Sequence, residues 1–244
     1  MSTSRPRLCA LSTLIAALAA ACSGGDRTDS PAMSMTQPSP VATPAPVPEA
    51  PSTARYRVTF DATWTAATHR QDFPSNAHFS PLVGATHTAQ VSFWREGALA
   101  TEGIRGMAER GSRLALDEEI RTAIAAGTAR LLLAADGIPS PASITIEFES
   151  SRAHPLITLV TMIAPSPDWF VGVSGLALFE DTQWVEERTI MLIPWDAGTD
   201  SGATFSSPDQ NTNPRQPVSR ILTPPLGLGG LAAPLGSFTF RRVG

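Results

Sequence analysis

Short runs in which large apolar residues alternate with polar ones recur along most of this chain, and they leave few architectures open. In RYRVTFDATW, residues 55–64, Tyr56, Val58 and Phe60 alternate with Arg, Thr and Asp, the period of a strand with one buried face. AQVSFWR, SITIEFE, LITLVTMI, FVGVSGLALF, WVEERTIMLI and the terminal SFTFRR continue the theme. Many short strands separated by turn residues predict a mainly β fold, an antiparallel β-sandwich. One stretch changes period. In residues 103–137, Leu116, Ile120 and Ile124 fall four apart, while Asp117, Glu118 and Glu119 sit early, where acids favour a helix N-terminus. The expectation is one inserted helical segment, broken near Gly127. LTPPLGLGGLAAPLG, residues 222–236, is apolar but too rich in Pro and Gly for a helix or central strand, and is expected to be a loop packed over the core.

With 244 residues, 42% of them hydrophobic, and a net charge of −4, the chain can bury one domain and carry appendages. It contains no lysine, and its arginines are scattered rather than banked in a stripe, which argues against nucleic-acid binding. At the N-terminus, Arg5 and Arg7 precede an apolar run from Leu8 to Ala21 and then Cys22. The run is too short to span a bilayer but has the layout of a secretory signal. With cysteine at the cut it resembles a bacterial lipoprotein signal, although leucine falls at Leu18 and Ala19 holds its usual place. The resemblance implies export, lipidation of Cys22 and anchoring in the bacterial cell envelope, with the membrane as first partner. Residues 1–21 are then the signal peptide, 22–54 a Pro/Ser/Ala-rich tether with too few large apolar residues to fold, and 55–244 the domain. Cys9 leaves with the signal and Cys22 is the only other cysteine, so packing or a metal must hold the domain together.

Two acidic motifs stand out. APSPDWFVGV, residues 164–173, presents Asp168 between stiffening prolines and the anchoring pair Trp169 and Phe170. PWDAGTDSG, residues 194–202, holds Asp196 and Asp200 four apart with Gly198 between them. Like charges held together need a cation, a shared proton or bulk water. Calcium takes six to eight oxygens from carboxylates, carbonyls and waters, and two loops converging at one end of a sandwich can supply them. Glu147 and Glu149 both point away from the apolar side of SITIEFES, and either is a candidate fourth ligand. The loop is not an EF-hand, because its sixth and twelfth positions from Asp196 are Ser201 and Ser207. Asp200-Ser201-Gly202 spells the triplet of acid proteases, but a second such triplet is missing, which leaves an acid hydrolase using Asp200 as a remote alternative. His69, His78, His87 and His154 lack zinc-ligand spacing, and no G-x-S-x-G elbow occurs.

PSPDWFVGV, a WVEE strand and PWDAGTDSGATFSSP, in that order, closely resemble the spondin domain, the N-terminal module of the secreted animal matrix proteins F-spondin and mindin. YRVTFDATWTAATHRQDFPSNAHFSPLVGATH, FWREG, GIRGMAERG and HPLITLVTMI fit the same family, so the likeness covers about residues 55–220. It implies a β-sandwich similar to calcium-binding C-two-type domains, with calcium held between loops by Asp168, Asp196 and its carbonyl, Asp200 and an upstream glutamate that falls on Glu149. Phe179 stands where animal members have a disulfide cysteine. The reading that follows is a membrane-tethered, non-catalytic calcium-binding module for adhesion or for a cell-surface protein or glycan ligand. Its rival is a structural envelope lipoprotein in which calcium only staples loops.

Overall fold

The computed structural model describes residues 49–244. The signal segment, Cys22 and the tether as far as residue 48 lie outside the described residues. In chain order the strands are β1 (Thr53–Ala62), β2 (His78–Phe79) and β3 (Leu82–His87). Helices α1 (Glu102–Arg110) and α2 (Leu114–Ala125) follow. Next come β4 (Ala129–Ala135), β5 (Ile138–Pro139), β6 (Ala142–Ser151), β7 (Leu156–Ala164), β8 (Trp169–Ala177), β9 (Phe179–Glu180), β10 (Gln183–Trp184) and β11 (Glu187–Leu192). The last five are β12 (Trp195–Asp196), β13 (Ser219–Arg220), β14 (Gly227–Leu228), β15 (Leu231–Ala232) and β16 (Gly236–Arg242).

The expected antiparallel β-sandwich is present. One sheet runs β11-β16-β1-β6, and the other runs β13-β12-β8-β7-β2-β5 with β3 joining β7 to β4. Alternation does what the sequence promised in β1: Tyr56, Val58 and Phe60 are buried, while Arg55 and Arg57 face water. Opposite them across the core lie Ile157, Leu159 and Ile163 of β7 and Val171 and Val173 of β8. The nearly continuous burial of β7 has a separate cause. Its other face, through Val160 and Met162, packs with Ile104, Met107, Leu116 and Ile120 of the helices, so both sides are covered.

The helical insertion differs from the expected single helix broken near Gly127. It is two helices, parted at Gly111, whose φ of 63° closes α1 in the left-handed conformation. Thr101 caps the start of α1 by accepting from the Ile104 amide at 3.1 Å. Gly127 instead ends α2, and the RLLLAA run beyond it is strand β4, paired with β3. The run from Leu222 to Gly236 does pack onto the core through Leu226 and Leu235, both fully buried, and exposes Leu228 and Leu231 on the small β14–β15 hairpin. Phe179 stacks edge-on against Trp184, with centroids 5.0 Å apart.

Candidate metal centre

The end of β7 and the start of β8 are joined by the APSPD turn. Ser166 accepts from the Trp169 amide at 3.1 Å, and Trp169 and Phe170 sink into the core, which fixes Asp168 between Ser166 and that buried pair. Strand β12 pairs antiparallel with β8, with Asp196 opposite Trp169. The ladder is extended by the Ala197 amide, which donates to the Asp168 carbonyl at 3.1 Å. This register brings the two acidic motifs, distant in sequence, to one end of the sandwich.

Asp168 is completely buried. Its Oδ2 accepts from the Thr199 amide at 2.7 Å, the Asp200 amide at 3.0 Å and the Thr199 hydroxyl at 3.2 Å. Its Oδ1 is buried with no hydrogen-bond partner among the described residues. Burial first, and the neighbouring Asp196 charge second, push its carboxyl up to about 7 from an ordinary 3.8, against the pull of the Asp200 and Thr199 donors. Burial also raises Asp196, opposed by the Gly198 amide, 2.7 Å from its Oδ1, and by the Trp169 side chain, with the Asp200 charge adding to the rise. Asp200 closes its own loop: Oδ1 accepts from the Gly202 amide and Oδ2 from the Gln210 amide, each at 2.7 Å.

Gly198 makes the turn between the two acids possible. Its φ is 72°, and an added Cβ would lie 2.0 Å from the Gln216 carbonyl oxygen, so neither the conformation nor the space admits a side chain. The same glycine's carbonyl accepts from the Gln216 amide at 2.9 Å, tying the turn to the segment that follows.

The expected fourth ligand is elsewhere. Glu149 on β6 is ion-paired with Arg130 on β4. The β3 ladder places Arg130 beside the Leu156 end of β7, whereas Asp168 lies beyond Ala164 at its other end. At about 3.3 Å per strand residue the separation is on the order of 25 Å. Glu147 is no substitute, because Arg55 and Arg57 hold it at 2.8 and 2.7 Å on the outer face of the first sheet. Strand alternation gives the face of a residue but not which end of the sandwich it reaches. Thr199 was overlooked in the sequence, although its amide and hydroxyl are the main restraints on Asp168. Its place between the two aspartates, directly after Gly198, was the available signal.

Among the described residues, no three Asp, Glu, His or Cys side chains converge into a ready-made cage. The donors nevertheless suit a hard cation. A buried carboxylate oxygen without a donor is costly, and a second raised carboxyl lies beside it. Calcium would take these oxygens together with backbone carbonyls and water.

A two-sheet antiparallel module with an acidic loop site at one end defines the class of protein: a β-sandwich domain with a helical insertion. The family model Spondin_N matches residues 54–225, and the chain belongs to that family. Among its relatives are spondin-2 of Homo sapiens, 37% identical over 195 residues, and spondin-2 of Rattus norvegicus, 40% identical over 198; each alignment covers 78% of this chain. Spondin-1 of Gallus gallus is 39% identical over 175 residues, 68% of this chain. The chain spans 57% and 58% of the two spondin-2 proteins and 22% of spondin-1. No helix among the described residues is long and apolar enough to cross a membrane.

Proposed function

We propose that this chain is an exported, non-catalytic calcium-binding module for adhesion or ligand binding, held at a bacterial cell envelope by a lipidated Cys22. The observation that carries the metal is the partnerless, buried Oδ1 of Asp168 beside Asp196. Asp168, Asp196 with its carbonyl, and Asp200 would hold the ion, which would supply the positive charge that the buried carboxylates lack. Membership of the spondin family, whose named relatives are spondin-1 and spondin-2, supports the extracellular adhesion-type role.

A second reading makes calcium only a staple for loops in a structural envelope lipoprotein. It is favoured by Asp200, whose oxygens both accept from amides of its own loop, at Gly202 and Gln210. The same engagement argues against Asp200 as the acid of a hydrolase.

Calorimetric melting in chelator and in millimolar calcium tests the metal. At a calcium concentration about 100 times the dissociation constant, linkage adds about 2.7 kcal/mol, which for a domain of this size raises Tm by roughly 5–10 °C. Superimposable melting curves would remove calcium from the proposal.

A further inference from the structure

From Ile221 to Leu235 the sequence ILTPPLGLGGLAAPL carries no charged side chain. Three of its leucines face water: Leu222 is 43% exposed, Leu228 51% and Leu231 72%. The β14–β15 hairpin sets the last two side by side. Leu228 pairs directly with Leu231, so both side chains stand on one face of the ribbon, about 5 Å apart. The other pair, Gly227 and Ala232, turns toward the body: Gly227 is buried, and a Cβ on it would lie 2.0 Å from the Leu222 carbonyl carbon. Gly229 and Gly230 make the turn with φ of 59° and 80°, the form that closes a two-residue hairpin. A Cβ on either would meet nothing within 4 Å, so the tip stands clear of the domain.

A protruding ribbon with a leucine outer face, no charge, and backbone groups that pair with each other can enter an apolar medium at little polar cost. Its base fixes where it stands. The Ile221 amide donates to the Pro194 carbonyl at 3.1 Å and the Leu235 amide to the Leu192 carbonyl at 2.9 Å, which places the hairpin at the end of the sandwich that carries the acidic loop. The chain enters the domain at the other end, because β1 begins at Thr53 beside Ser151 and meets Gly236 only at Ala62. At about 3.3 Å per strand residue the two ends are roughly 30 Å apart. The Pro-rich residues 23–48 can extend to roughly 80 Å at about 3.1 Å per residue. A bilayer that holds Cys22 is therefore within reach of the hairpin. The aspartates at this end oppose an anionic surface, which favours a neutral one.

We propose that the β14–β15 hairpin docks on a neutral lipid surface, with Leu228 and Leu231 entering the headgroup boundary. The proposal rests on the lipid anchor at Cys22 and makes no use of calcium or of an adhesion ligand.

The test places the full chain on phosphatidylcholine vesicles, with an environment-sensitive fluorophore on Leu231→Cys and, as control, on Met191→Cys, a β11 site that is 57% exposed. The chain should float with the vesicles. The Leu231→Cys label should shift to the blue, resist iodide and be quenched by nitroxide lipid, while the Met191→Cys label stays open to iodide. Adding Leu228→Asp should return the Leu231→Cys label to water in the anchored protein. In a Cys22→Ser chain, which lacks the lipid, Leu228→Asp should weaken vesicle partition at least about tenfold, since burying a leucine is worth that or more. A floated chain whose two labels are equally open to iodide would overturn the hairpin and leave the anchor. Flotation of Cys22→Ser as complete as that of wild type, with a shielded Leu231→Cys label, would sink the anchor and leave the hairpin. A chain that stays off the vesicles would sink both. A Leu231→Cys label shielded without vesicles would assign the hairpin to a second copy of the chain and overturn the lipid.

Discussion

Replacing Asp168 by asparagine is expected to stabilise the metal-free domain at neutral to alkaline pH, the reverse of what removal of a buried, hydrogen-bonded side chain ordinarily does. The folded chain binds the Asp168 proton more tightly than the unfolded chain, because its carboxyl is pushed up to about 7 from 3.8. Its contribution is therefore most favourable below the lower value and is lost as pH rises through the window between them. At about 1.4 kcal/mol per pH unit, the full penalty above that window is about 4 kcal/mol. Asparagine keeps an oxygen for the Thr199 and Asp200 amides and carries no charge, but its NH2 group must be placed where Oδ1 now has no partner. A buried donor that is imperfectly paired costs about 1–3 kcal/mol, so the net gain is about 1–3 kcal/mol. That corresponds to a rise in Tm of roughly 2–10 °C near pH 8, shrinking to nothing or reversing near pH 4. Calorimetry of both proteins across that range in chelator reads the effect, and in millimolar calcium the order should invert. A wild type that in chelator holds its stability from about pH 4 to 8, with Asp168→Asn tracking it throughout, would rule out a raised Asp168 carboxyl.

Gly198→Ala forces an L side chain into positive φ and into the Gln216 carbonyl, and should cost more than about 2 kcal/mol in urea unfolding. A cost below about 0.5 kcal/mol would show that the turn is pliable. Glu149→Gln breaks one partly exposed ion pair with Arg130, so its stability loss should stay under about 1 kcal/mol and its response to calcium should match wild type. Phe60→Ala removes a buried ring that packs edge-on against Phe79 and Phe238, at 4.9 and 5.2 Å, and should cost about 3–5 kcal/mol.

Much of this fold was legible because its strands follow simple burial rules. Tyr56, Val58 and Phe60 could be assigned to the core by alternation alone, and the same logic put Glu147 and Glu149 on the outer face. What alternation cannot report is position along the sandwich, which depends on the pairing of β3 with β4 and β7, and so Glu149 was expected at the wrong end. Strand β4 escaped notice because RLLLAA follows helical sequence and lacks alternation; it lies between the helices on one side and the sandwich core on the other, with Ala129 in one buried cluster and Leu133 in the other. The helix break was misplaced for a related reason. Gly111 and Gly127 both have positive φ, but one separates two helices and the other leads into a strand, a difference set by the partners of the next segment. The acidic site itself was readable from Asp168, Asp196 and Asp200, because rigid turn residues surround each of them. The way Thr199 holds Asp168 depends on the β8–β12 register, which no local pattern encodes.

A calcium titration by calorimetry on wild type and four single substitutions reads directly whether Asp168, Asp196 and Asp200 hold the ion. One calcium is expected to bind wild type and Glu149→Gln with the same affinity, and none to bind Asp168→Asn, Asp196→Asn or Asp200→Asn at concentrations that saturate wild type. Absence of calcium heat in wild type, or wild-type affinity in Asp168→Asn, would contradict it.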